Sequence, residues 1–110
     1  MLAVRTEYKK GVLFVRLRGR IDNEIYLKKI KNLIEEIGIK ITVLNISKLN
    51  DVSLENINHM IKYKDKLKKK KHILLICDNN ILRNSLFKKM KKITDEIEVF
   101  SLINRKGAYE

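Results

Sequence analysis

Two short apolar runs, IKITVLNI at 39–46 and HILLIC at 72–77, each follow a stretch whose apolar residues recur at helical spacing. That alternation limits the possible folds more than any other feature. A short strand that is apolar on both faces has to be covered on both faces. A helix lying between two such strands works as a crossover, which leaves the strands parallel and the connection right-handed.

The stretch before the first run predicts a helix from Asp22 or Asn23 to about residue 37. Either side-chain oxygen can accept from the free amides of the first turn. Ile30, Ile34 and Ile37 recur at i, i+4, i+7 with Leu27 and Leu33 beside them, and Gly38 stands where a left-handed residue would close the helix. A second helix is expected over 53–67, with Leu54, Ile57, Met60, Ile61 and Leu67 facing inward. Lys62, Lys64, Lys66 and the run 68–71 fall on its outer side or its end, where cations also suit the helix dipole. After HILLIC, Asp78-Asn79-Asn80 reads as a turn, 81–93 as a helix carrying Leu82, Leu86 and Ile93, and 97–103 as a final strand. Residues 104–107 read as tail.

Ahead of these units, 2–8 and 12–18 read as a β-hairpin joined by Lys9-Lys10-Gly11. Leu13, Val15 and Leu17 alternate with Val12, Phe14, Arg16 and Arg18, the pattern of a strand with one side buried. The expected fold is therefore α/β: a mixed sheet with an N-terminal β-hairpin followed by α-β-α-β-α-β, helices packed on the sheet, forming a single domain over 1–110.

With 110 residues, 45% of them hydrophobic, the chain can bury one core. No apolar stretch approaches the roughly 18 residues that span a bilayer. The opening MLAVRTEYKKG lacks the apolar segment of a secretory signal, and a single cysteine, Cys77, fits a reducing compartment, so a cytoplasmic location away from membranes is expected. The net charge of +12 invites a nucleic-acid reading. Against it, the excess is nearly all lysine at helix ends and outer faces, aromatics for base stacking make up 6%, and arginine is scarce. A basic nucleic-acid-binding α/β domain is the alternative function.

Catalytic chemistry finds little to stand on. His59 and His72 lack metal-ligand spacing, Cys77 ends an apolar strand as a small hydrophobe, and the four glycines are isolated rather than gathered into a phosphate loop. Glu35-Glu36 and Asp95-Glu96-Glu98 read as exposed charges. No enzyme, cofactor or metal is expected. What remains is a pair of strand–helix junctions, 19–23 and 50–53, which in a parallel sheet share the edge at the carboxyl ends of the strands. Asp51 and Ser53 are helix-capping residue types. A serine at a helix start also tolerates phosphate, because its hydroxyl lies near free backbone amides.

Three stretches in order, VLFVRLRGRIDNE, ITVLNISKLNDVSLENI and HILLICDNNILRNSLFKKM, resemble STAS domains, specifically the single-domain bacterial anti-sigma factor antagonists of the stage II sporulation AA type. The resemblance runs from about Val4 to Ile103. Gly19 and Asp22 fall on the family's Gly-x-x-Asp, Asp51 on the aspartate of its phosphorylation loop, and Ser53 on the serine that the partner phosphorylates. Val52 stands where the family has a first serine, and Leu54 where it has glycine.

The resemblance implies a partner switch in transcription regulation during sporulation or stress. Unphosphorylated antagonist binds an anti-sigma factor serine kinase and frees a sigma factor, and the phosphorylated form lets go. Ser53 is then the modified residue, with Asp22, Asn23, Asn50, Asp51 and Leu54 in the partner-binding loops of a chain that is monomeric when free. A STAS scaffold module with another partner is a further alternative. Phosphate adds about −1.5 to −2 charges. Against +12 the change must act at the contact itself, through desolvation of a dianion on a surface shaped for a hydroxyl. Among the other serines, Ser47 is read as following the third strand, Ser85 as inside a helix and Ser101 as inside a strand.

Overall fold

The computed structural model describes residues 1–80 and 92–106. Its elements are β1 (Leu2–Lys9), β2 (Val12–Gly19), α1 (Ile25–Ile37), β3 (Ile41–Leu49), α2 (Leu54–Lys69), β4 (Ile73–Cys77), β5 (Lys92–Ile93) and α3 (Glu98–Lys106). The strands lie side by side in chain order. β1 pairs antiparallel with β2, and the neighbours from β2 to β5 are parallel. The hairpin turn is Lys10-Gly11, both with positive φ (52° and 83°), the conformation that matches the twist of a two-residue hairpin.

Two apolar layers lie on opposite faces of the sheet. On one, Leu13, Val15 and Leu17 of β2, Leu44 and Ile46 of β3, and Leu74 and Ile76 of β4 pack under Leu27 and Ile34 of α1 and Ile57, Met60, Tyr63 and Leu67 of α2. On the other, Val12 and Phe14, Ile41 and Val43, Leu75 and Cys77, and Ile93 pack under Val99 and Leu102 of α3. The Phe14 and Phe100 rings pack edge to face, with centroids 5.9 Å apart. Each large aliphatic side chain taken fully out of water contributes about 1.5–3 kcal/mol, and both layers are built from such residues.

β2 therefore departs from its sequence pattern. Its Val12–Val15 run is buried on both faces, because α3 covers the side on which Arg16 and Arg18 suggested solvent. In α1 the buried stripe is Leu27 and Ile34 with Ile30 half-covered, while Leu33 and Ile37 face out. Gly38 ends the helix as expected, with φ 73° and its N–H donating to the Ile34 carbonyl.

The last segment corrects the expected strand over 97–103. Residues 98–106 are helix α3, and the terminal strand is β5, two residues long and earlier in the chain. Strand alternation would have stacked Ile97 with Val99. Instead Ile97 is exposed while Val99 and Leu102 are buried at i, i+3. An N-terminal capping box starts the helix: Asp95 Oδ1 accepts from Ile97 N, and Glu98 Oε1 accepts from Asp95 N at 3.2 Å. The helix expected over 81–93 lies mostly outside the described residues, and its last two positions are β5. Ile93, assigned to that helix, is a buried strand residue.

Candidate functional site

β2 and β3 end together, with Gly19 opposite Leu49, and the chain leaves the sheet there through two adjacent loops. The loops are tied. Asn50 N donates to the Gly19 carbonyl at 2.7 Å, and Arg20 N donates to the Met1 carbonyl at 3.2 Å. Gly19 has φ 101°, and a Cβ there would sit 2.3 Å from the Met1 carbonyl oxygen, so only glycine fits.

Three apolar side chains anchor the loops from below. Ile21 and Leu49 are buried, and Val52 packs partly against the same core. With those facing in, Asp22, Asn23, Asn50, Asp51, Ser53 and Leu54 are left exposed on one edge. Asp51 has φ 45°, a left-handed conformation that aspartate adopts more readily than most residues. Ser53 is the N-cap of α2: its backbone is extended and its Oγ accepts from Asn56 N at 3.0 Å. The Asn56 side chain in turn donates to the Ile21 carbonyl at 3.4 Å, which fastens the first turn of α2 to the neighbouring loop.

Leu54 corrects an expectation. Its spacing to Ile57 and Ile61 pointed to the core, yet it is 62% exposed, because a residue in the first position of a helix projects past the end of the sheet below. Ile25 and Tyr26, at the equivalent end of α1, are exposed too. The edge therefore combines polar loop residues with apolar side chains facing water.

The start of α1 is built differently from that of α2. Asn23 Oδ1 accepts from Ile25 N at 2.9 Å, but the N-cap is Glu24, whose side chain does not cap. It reaches α2, accepting from the Tyr63 hydroxyl at 2.9 Å and from Lys62 Nζ at 3.3 Å. The Tyr63 hydroxyl, followed by Lys62, holds the Glu24 carboxyl below its ordinary range, and burial pushes the Tyr63 phenol up.

A second cluster escaped the sequence reading. Glu96, read as an exposed charge, accepts from Arg16 Nε at 2.9 Å and Nη2 at 2.8 Å, and from Asn45 Nδ2 at 2.8 Å. It joins the turn before α3 to β2 and β3, and the Arg16 guanidinium holds its carboxyl below the usual range. Nothing local announces a pair 80 residues apart. The cluster walls a cavity of about 600 Å³ on the α3 side, also lined by Arg5, Arg18, Ser47, Lys48 and Asn79.

Ser47 belongs to β3, which runs two residues beyond it, and its Oγ accepts from Asn79 N. Ser101 sits exposed on α3 rather than in a strand, and Ser85 lies outside the described residues. His59 and His72 are both half-buried. Among the described residues no group of three or more His, Cys, Asp or Glu is placed to hold a metal ion, and no helix is long and apolar enough to cross a membrane.

Among the described residues, an antiparallel hairpin leads into parallel βα units with α1 and α2 on one face of the sheet and α3 on the other, an arrangement that matches the SpoIIAA-like fold. Among solved structures the chain is similar to an anti-sigma factor antagonist from Mycobacterium paratuberculosis, with a TM-score of 0.76 and 14% identity over 94% of this chain and 95% of that one. It is also similar to the anti-sigma factor antagonist SpoIIAA in its unphosphorylated form, with a TM-score of 0.69 and 15% identity over 96% and 99%. A protein of the DUF3478 family from Shewanella loihica, with a SpoIIAA-like fold, aligns with a TM-score of 0.58 and 16% identity over 92% of both chains. At these identities the likeness is one of fold. No family model matches the chain, and no curated protein matches it in sequence.

Proposed function

We propose that this chain is an anti-sigma factor antagonist, a regulatory binding protein of the bacterial cytoplasm rather than an enzyme. In its unphosphorylated state it docks the edge formed by Asp22, Asn23, Asn50, Asp51, Ser53 and Leu54 onto an anti-sigma factor serine kinase and so releases a sigma factor. The kinase transfers the γ-phosphoryl group of ATP to Ser53 Oγ. ADP leaves, the hydroxyl proton is lost, and the complex separates. The fold supports the general role. The observation that carries the reading is the exposed residue Ser53 at the head of α2, on an edge that also presents Leu54 to solvent.

The local chemistry suits a reversible switch. A phosphate at Ser53 meets the free amides and positive end of α2, worth about 0.3–1 kcal/mol when exposed, so the host fold accepts it. A partner surface complementary to a hydroxyl does not accept a dianion. Each 1.4 kcal/mol lost there weakens binding about tenfold.

Incubation with the cognate kinase and ATP, followed by mass spectrometry, is expected to place one phosphate on Ser53. Ser53→Ala is expected to keep kinase binding and Ser53→Asp to weaken it about tenfold or more. Phosphate at Ser47 or Ser101 instead, or equal binding by the two variants, would overturn the reading.

A further inference from the structure

β1 is the outermost strand, and among the described residues it has a hydrogen-bonded neighbour on one side alone. Its eight residues pair with β2 in one unbroken register, without a bulge. The chain contains no proline, and every β1 residue except Leu2 is exposed. Of the usual devices that blunt an edge strand, a bulge, proline and shortness are missing, and what remains is charge, carried by Arg5, Glu7 and Lys9.

The two-residue turn makes Lys9 and Val12 the closing hydrogen-bonded pair. Odd-numbered residues of β1 therefore direct their backbone groups at β2, and Leu2, Val4, Thr6 and Tyr8 direct theirs outward. The side-chain order says what fits against that edge. Two copies of β1 laid antiparallel about a twofold axis normal to the sheet keep each face with itself, so even residues meet even and odd meet odd.

An axis through Arg5 sets arginine against arginine. An axis through Glu7 sets glutamate against glutamate and Arg5 against lysine. Centred on Thr6, Arg5 faces the partner's Glu7, Val4 faces the partner's Tyr8, and Lys9 faces the partner's Ala3. Arg5 has no ion pair among the described residues, while Glu7 pairs with Arg16 through one oxygen at 2.9 Å and stays half exposed. Arg5 and Glu7 also occupy non-hydrogen-bonded positions on this edge, where opposing side chains come closest.

We propose that the chain self-associates through β1 in the register centred on Thr6, joining two sheets into one with α1 and α2 of both copies on the same face. A single strand pair is a small contact, so the dimer is weak and reversible, and it departs from the monomer that the resemblance implies. The Ser53 edge lies at the ends of the parallel strands and stays open, so the dimer does not depend on the switch proposed for that edge.

Sedimentation equilibrium of the full chain, up to about 0.5 mM in about 0.15 M salt, tests this. The wild-type chain is expected to enter a monomer–dimer equilibrium. Arg5→Glu and Glu7→Arg are each expected to weaken it about tenfold, and the double variant, which restores opposite charges, to recover it. Thr6→Pro removes an outward N–H without touching the bonds to β2 and is expected to abolish the dimer, with circular dichroism confirming an intact fold. A wild-type chain that stays monomeric throughout, or a dimer indifferent to the single charge reversals and to Thr6→Pro, overturns the proposal.

Discussion

Ser53 has two roles to separate, because the same oxygen that would carry phosphate also caps α2. Removing a serine cap costs about 0.5–2 kcal/mol, whereas aspartate caps as well as serine does. Ser53→Ala is therefore expected to unfold at lower urea concentration than wild type, and Ser53→Asp at about the same concentration. Binding to the kinase should run the other way, with the alanine variant competent and the aspartate variant impaired. Opposite orders of stability and binding would exclude a simple folding defect, and denaturation midpoints set beside binding isotherms check it. Of the residues on this edge, Ser53 was the most legible in sequence, since a cap is defined by its neighbours three positions on. Leu54 was misread because periodicity locates a face of the helix but not where the underlying sheet ends.

At the scale of elements, two acidic side chains act as cross-links. Glu35 of α1 pairs with Lys31 and with Lys70 just past the end of α2, and those cations hold its carboxyl down to about 2. Glu96 ties the turn before α3 to β2 and β3, and its carboxyl is likewise depressed, chiefly by Arg16. A folded-state value below the unfolded one means that each contribution is complete above about pH 4.5 and is lost as the pH falls through the folded value. Stability is expected to decline between about pH 4.5 and pH 2, with a shallower decline in Glu35→Gln and in Glu96→Gln, measured by urea midpoints across that range. The helix over 98–106 shows the limit of reading elements singly. A strand is expected over 97–103, while the Asp95…Glu98 capping box at its start marks a helix.

Taken whole, the molecule sets a sheet between two apolar layers, and Cys77 sits in the layer beneath α3. Burial, reinforced by the nearby carboxylates of Glu96 and Asp95, pushes its thiol up to about 12. Alkylation of the native protein near neutral pH is expected to be slow and to accelerate only under conditions that open the fold, since the thiolate is the reactive form. Rapid labelling of the native protein would contradict that placement. Among the described residues several cations are already paired, among them Lys31, Lys62 and Lys70.

Neighbouring residues were enough to specify the hairpin, α1, α2, the glycine that ends α1 and the serine that starts α2. Turn chemistry, caps and apolar period act over a few positions, so a reader of the chain can see them. Burial of β2 on both faces, the Arg16–Glu96 bond, the outward Leu54 and, among the described residues, the unpaired edge of β1 were decided in three dimensions. Each depends on which element comes to lie against which, and that is settled by packing of the assembled layers rather than by any local run of residues.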